Sequence, residues 1–209
     1  MRHEAEIREL LVENAIRLIG EGGFEKATTK ELAHYGEQQT DFKMNESYIY
    51  RLFGSKEKLF ETAFIRLDNE LFGTFSDAVN QIGGMQGQTL EKMYEVFIKI
   101  WTFSLRDELR CRCYVRYYYS VYYTGLSAES HRQLFDKAVD EFRPIVKPET
   151  NPSSVIRCMF TILFDCVVRV FDGDLEDNEE TRQYVFGVMY HMLKSYLKSS
   201  DTACKPALV

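Results

Sequence analysis

Helix breakers are scarce in this chain, and that scarcity constrains the fold more than any other feature. Four prolines and twelve glycines are spread over 209 residues, so long stretches carry nothing that interrupts a helical hydrogen-bond ladder. Apolar side chains recur at helical spacing within them. Ile7, Leu10, Leu11, Ala15, Leu18 and Ile19 form one stripe, stopped by Gly22 and Gly23. Thr28 opens a short helix through Leu32 and Ala33, with Glu31 completing a capping box. A polar turn over 34–44 follows. Asn45 then caps a helix through Ile49, Tyr50 and Phe53, which Gly54 ends. Ser55 caps the next, whose stripe of Leu59, Phe60, Ala63, Phe64, Leu67 and Leu71 extends to Ile82. After a break at 83–88, helices are expected over 89–105, 107–124 and 128–143. Asn151-Pro152 starts another, running to Phe171. An acidic loop leads to a last helix over 179–198. No segment alternates with period two between hairpin turns. Residues 114–123 are tyrosine-rich, which suits a strand, but they lie in a breaker-free stretch and are read as helix. The fold class is all-α, a small N-terminal bundle followed by a larger C-terminal one.

The net charge is −6, which taken alone argues against a protein whose main work is gripping nucleic acid. No apolar run approaches the roughly 18 residues of a membrane span. The charged start, MRHEAEIREL, lacks the apolar core of a signal peptide, so a cytoplasmic protein without membrane partners is expected. Five cysteines form no repeated CxxC pairs. An odd count in a chain of this size argues against a disulfide framework or a structural zinc site. Asp172, Asp174 and Glu176 open like a calcium loop, but Asp177 stands where glycine is required and Gln183 where glutamate is. The histidines are scattered, and no phosphate-cradling loop, dinucleotide fingerprint or nucleophile elbow occurs. Neither catalysis nor a cofactor is expected.

Three short N-terminal helices, the second and third joined by a turn, fit a helix-turn-helix, whose later helix enters a DNA major groove while the earlier one braces it. The residues sharpen this. Ala15-Ile16-Arg17-Leu18-Ile19 precedes Gly22-Gly23-Phe24; Ala27-Thr28-Thr29 precedes Glu31-Leu32-Ala33. Tyr48-Ile49-Tyr50-Arg51-Leu52-Phe53 runs into Gly54-Ser55-Lys56-Glu57-Lys58-Leu59. In order, spacing and caps, residues 7–60 resemble the TetR family of bacterial transcriptional regulators; the remainder matches only in being helical and of similar length. One departure stands out. Tyr50 follows Ala33 by 17 positions, more than the family's usual spacing, with the extra residues between Tyr35 and Met44. Phe42-Lys43-Met44-Asn45 stands in for the family's turn.

The resemblance implies a helix-turn-helix domain over 1–54, an effector-binding and dimerisation domain over 55–200, and a flexible tail over 201–209. It implies phosphate contacts from the Tyr50 hydroxyl, from Lys56 at the next helix start, and from Thr28 and Thr29. Asn45, Glu46, Ser47 and Tyr48 would face base edges of a double-stranded operator, with Lys43 and Arg51 adding attraction for phosphate. Residues 1–60 hold nine Lys and Arg against eleven Asp and Glu, yet within 42–60 four cations face two acids. The acidity thus narrows DNA binding to few phosphate contacts and a modest salt dependence.

A lone helix-turn-helix reads few bases, so a homodimer is expected. The family pairs its last two helices, which places Phe164, Val168, Val185, Val188 and Met192 at the interface. The family also holds a small-molecule effector in the C-terminal domain. Phe97, Trp101, Tyr114, Tyr118, Tyr122 and Phe160 offer it aromatic walls and hydroxyls. Cys111 and Cys113 point to different faces of one helix and are read as buried thiols. The function implied is a sequence-specific regulator, a repressor released by its effector. The alternative is a helical small-molecule-binding or interaction protein of the same fold, with DNA binding altered or lost through the insertion.

Overall fold

The computed structural model describes residues 2–35, 44–83 and 89–198. The helices are α1 (Arg2–Gly22), α2 (Thr29–His34), α3 (Ser47–Phe53), α4 (Lys56–Gly83), α5 (Thr89–Leu105), α6 (Glu108–Tyr118), α7 (Gly125–Phe142), α8 (Pro152–Phe171) and α9 (Glu179–Lys194), with a 3-10 turn at Arg143–Ile145. Among the described residues the only β pairing is an isolated bridge, and no helix is long and apolar enough to cross a membrane. The chain divides into two compact units, residues 1–70 with 107–132 and residues 71–106 with 133–209. The first is larger than the 1–54 expected from sequence, because α6 and the starts of α4 and α7 pack into it.

In the first unit the α1 stripe is buried at Ile7, Leu11, Ala15, Leu18 and Ile19. Gly23 closes α1 with φ +78° and donates its N–H to Ile19 O at 2.9 Å, a backbone shape that favours glycine. Helix α6 lies close along α1. A Cβ built on Gly20 would stand 2.2 Å from the Leu109 carbonyl oxygen. Polar bonds fasten this crossing. Asp107 caps α6 by accepting from Leu109 and Arg110 N–H, and pairs with Arg17 at 2.7 Å. Arg110 reaches Glu13 at 2.8 Å and Glu70 at 2.6 Å. The Arg116 guanidinium donates to Ile19 O at 2.6 Å and Gly20 O at 2.5 Å. Phe64 stacks on both Tyr114 and Tyr117, with centroids 5.3 and 4.6 Å away. Asp68, wholly buried on α4, accepts from Tyr114 Oη at 3.0 Å and lies 3.0 and 3.2 Å from His131 Nδ1.

Two helices end earlier than their sequence suggests. α6 stops at Tyr118, not at residue 124, because Ser120 turns the chain: its N–H and Oγ both donate to Tyr117 O, at 3.0 and 2.8 Å. The Tyr117 hydroxyl then fixes the turn by donating to Tyr122 O at 2.9 Å. Tyr122 therefore shares no helix face with Tyr114 and Tyr118. α9 stops at Lys194, not 198, because another segment takes its backbone groups. Lys147 N–H donates to Tyr196 O and Lys198 N–H to Ile145 O, around the Val146–Leu197 bridge.

The second unit is built on Phe72, Phe135, Ala138, Val139 and Ile156, with Phe75 and Phe160 against them. Asn151 and Asn178 cap α8 and α9 through their side-chain oxygens. Trp101 is wholly buried and donates Nε1–H to Asp177 Oδ1 at 3.0 Å, while Arg182 holds both Asp177 oxygens at 2.8 and 2.9 Å. The Arg182 hydrogen bonds, against a smaller desolvation effect and aided by Trp101, hold the Asp177 carboxyl below its ordinary 3.8. A depressed folded-state value stabilises the fold above the unfolded value and loses that contribution as pH falls through the folded one. Asp177→Asn is therefore expected to be less stable than the parent at pH 7, with the gap narrowing by about pH 3. Urea unfolding at the two pH values measures this; a gap that does not narrow would remove Asp177 from the acid response.

Candidate functional site

The helices expected to form the helix-turn-helix are α2 and α3, and the residues between 35 and 44 lie outside the described ones. Buried anchors set its geometry. Leu32 and Ala33 seat α2, and Asn14 on α1 donates to Leu32 O at 2.9 Å from a buried position. Met44 and Ile49 seat α3. Arg8 on α1 donates to Leu52 O at 2.8 Å and lays its guanidinium 4.4 Å over the Phe53 ring. Sequence reasoning missed Arg8, because nothing local relates it to a ring 45 positions away.

These anchors turn the remaining α3 side chains outward. Asn45, Glu46, Ser47, Tyr50 and Arg51 are exposed, Tyr50 by 55%. Helix α3 starts at Ser47, later than an Asn45 cap would start it, although Asn45 Oδ1 does accept the Ser47 N–H at 3.0 Å. Tyr48 is half-buried, with the Arg51 guanidinium 4.5 Å over its ring, and Arg51 also lies 3.4 Å from Glu4. Thr28 caps α2 by accepting from Glu31 N–H at 3.1 Å. The neighbouring Thr29 hydroxyl donates to the Glu46 carboxylate, which ties the start of α2 to the start of α3. Lys56 begins α4, its Nζ 5.6 Å from the Phe60 ring centroid. Lys43 lies outside the described residues, as does most of the extra segment. The surface therefore offers hydroxyls, an amide and cations, interrupted by the acid Glu46. Such a set can hydrogen-bond base edges and hold phosphate oxygens.

The second unit holds a half-open apolar cavity of about 200 Å³. Phe75 and Val79 come from α4, Met93, Val96 and Phe97 from α5, Met159 and Phe160 from α8, and Phe186 and Met189 from α9. Of the aromatic residues expected there, Phe97 and Phe160 line it. Trp101 packs against Phe97 at 5.6 Å but is committed to Asp177. Tyr114, Tyr118 and Tyr122 lie in the first unit, where Tyr114 serves Asp68 and Tyr122 packs on Phe24 at 4.6 Å. They do not line this cavity. Helical spacing names the stripe of a tyrosine but not the helix it meets. Glu141 on the cavity wall went unnoticed in the sequence, since a single acid on an amphipathic helix carries no signal.

The expected pairing face on α8 and α9 is apolar and partly open. Phe164, Val168 and Met192 are half-buried; Val188 is 44% exposed and Tyr184 71%. Val185, expected on the same face, is buried within the second unit. The two thiols expected to be buried are so, and desolvation pushes Cys111 and Cys113 up to about 12.

No protein-family model matches this chain, and no curated protein matches it. Solved structures do. A TetR-family transcription regulator from Marinobacter aquaeolei VT8 aligns over 91% of this chain and 97% of its own, with 17% identity and a TM-score of 0.70. A protein from Shewanella sp. PV-4, assigned to the same family, aligns over 89% and 97% at 15% identity and a TM-score of 0.70. A TetR-like transcriptional regulator from Rhodococcus sp. RHA1 aligns over 90% and 95% at 14% identity and a TM-score of 0.64. The chain has the all-α fold of TetR-family regulators.

Proposed function

We propose that this chain is a dimeric, sequence-specific DNA-binding regulator of the TetR type, a repressor released when a small molecule enters its second unit. The observation that carries this reading is α3, seated by Met44, Ile49 and Arg8 so that Asn45, Ser47, Tyr50 and Arg51 face outward. The fold supports it, since nearly the whole chain aligns with regulators of that family. The open apolar face of Phe164, Val168, Tyr184, Val188 and Met192 fits pairing of two copies, which would present two α3 helices to two half-sites. An effector then acts by its different affinity for dimers whose α3 spacing matches the operator and dimers whose spacing does not.

Binding of the purified protein to DNA upstream of its own coding sequence, against random DNA over a range of salt, tests the reading. Selective binding is expected, together with a shallow salt slope. Tyr50→Phe combined with Lys56→Ala should weaken binding by about tenfold or more and lower the salt slope by about one, since only Lys56 carries a charge, with dimerisation unchanged. No preference for any DNA, or no effect of the two substitutions, would sink it. Glu46 and the extra residues before Met44 favour the second reading, a protein of this fold that senses a small molecule without DNA. That reading predicts indifference to both substitutions.

A further inference from the structure

The cavity of the second unit has a chemistry of its own. Its described walls are aliphatic, aromatic or thioether throughout except for one side chain, Glu141. No lysine, arginine or histidine lines it among the described residues. Arg143, two residues beyond Glu141, is held by Asp140 at 3.3 Å. A ligand carboxylate or phosphate would thus lose its water without gaining a cation, which is a heavy cost. Glu141 stands at the mouth with its carboxyl beside the Ser76 side chain, and desolvation against the apolar wall raises its pKa. A carboxylate that is partly stripped of water, with no cation among the described lining residues, favours a positive partner.

Size and shape narrow the occupant further. An engineered cavity of about 150 Å³ stays dry and takes up benzene, so about 200 Å³ here admits a ring with a short chain. Phe75, Phe97, Phe160 and Phe186 supply ring faces and edges. Met93, Met159 and Met189, from α5, α8 and α9, supply adaptable packing, three of the chain's seven methionines lining one cavity.

We infer that this cavity takes a hydrophobic amine, its apolar body among Phe97, Phe160 and Met159 and its ammonium at the mouth against Glu141. The inference rests on the second unit being the sensing part of the regulator proposed above, and it names the chemical class sensed.

Three probes of one shape decide it: 4-phenylbutylamine, 4-phenylbutanol and 4-phenylbutyrate, titrated into the DNA-free full-length protein by calorimetry. The amine is expected to bind tightest and the carboxylate weakest. About tenfold should separate them, the size expected when one half-exposed charge attracts the amine and repels the acid. Glu141→Gln should bring the two within about threefold while leaving the alcohol unchanged. With methionine methyls labelled for NMR, Met93, Met159 and Met189 should shift together on adding the amine, which places the probe without any cavity-filling variant. Binding of the carboxylate as tight as the amine, a preference that survives Glu141→Gln, or no binding of any probe would overturn the inference. The two readings fail separately. Selective DNA binding without amine binding removes only the ligand class, and amine binding without DNA binding removes only the regulator.

Discussion

Asp68→Ala is expected to lower the unfolding free energy by about 4 kcal/mol, as the loss of one partner from a buried charged cluster does. Asp68 is wholly buried and joins three helices, accepting from Tyr114 on α6 and contacting His131 on α7 from its own place on α4. Alanine removes the acceptor that both side chains share and leaves a void beside them, so desolvation and packing costs add. Asp68→Asn keeps one carbonyl oxygen and should cost less, about 1–2 kcal/mol. Tyr114→Phe removes a single hydroxyl and should fall in the same smaller range. Urea unfolding of the three variants gives the order. If Asp68→Ala matched the parent, the carboxylate would not be what joins these helices.

Gly20→Ala should destabilise by about 2–3 kcal/mol even though alanine is the better helix former. Propensity favours the change by about 1 kcal/mol. Against it, the added Cβ would lie 2.2 Å from Leu109 O and 2.8 Å from Leu109 C, which are backbone atoms of α6. They cannot yield without moving a helix that Arg116, Arg110 and Asp107 hold against α1. Gly73 provides the opposite case in the same molecule. It is helical in α4, and a Cβ there would meet nothing within 4 Å. Gly73→Ala should therefore stabilise by about 0.5–1 kcal/mol. Two glycine-to-alanine changes of opposite sign, measured by the same denaturant titration, separate helix propensity from helix contact; equal signs would refute the contact.

Local features of this fold are legible in its sequence, and partners are not. Thr28 and Asn151 read correctly as caps because a cap bonds to an amide three residues away. Gly54 reads correctly as a helix end, since its φ of +85° is a backbone shape glycine adopts freely. The outward side of α3 follows from where Ile49 and Phe53 fall. Other features depend on distant chain. The α6 end rests on a Tyr117 hydroxyl that finds Tyr122 O, and the α9 end on residues 145–147. Val185 and Val188 lie on one apolar stripe, and only the packed structure shows the first buried and the second open. Likewise, tyrosines rich enough to suggest an effector pocket serve the first unit, while the cavity is walled by phenylalanine and methionine.

The path of the chain through the two units bears on how such a protein can be rebuilt. The first unit takes residues 1–70 and then 107–132; of its three boundaries with the second, two fall inside α4 and α7 and the third between α5 and α6. A cut after residue 54 does not release the first compact unit whole, because α6 and its arginines arrive from later in the chain. An exchange of residues 1–54 alone would set α1 of one chain against α6 of another, and any side chain larger than glycine at position 20 would then meet the Leu109 carbonyl oxygen. Single substitutions at the exposed α3 positions Ser47 and Tyr50, by contrast, leave the seam between α1 and α6 untouched.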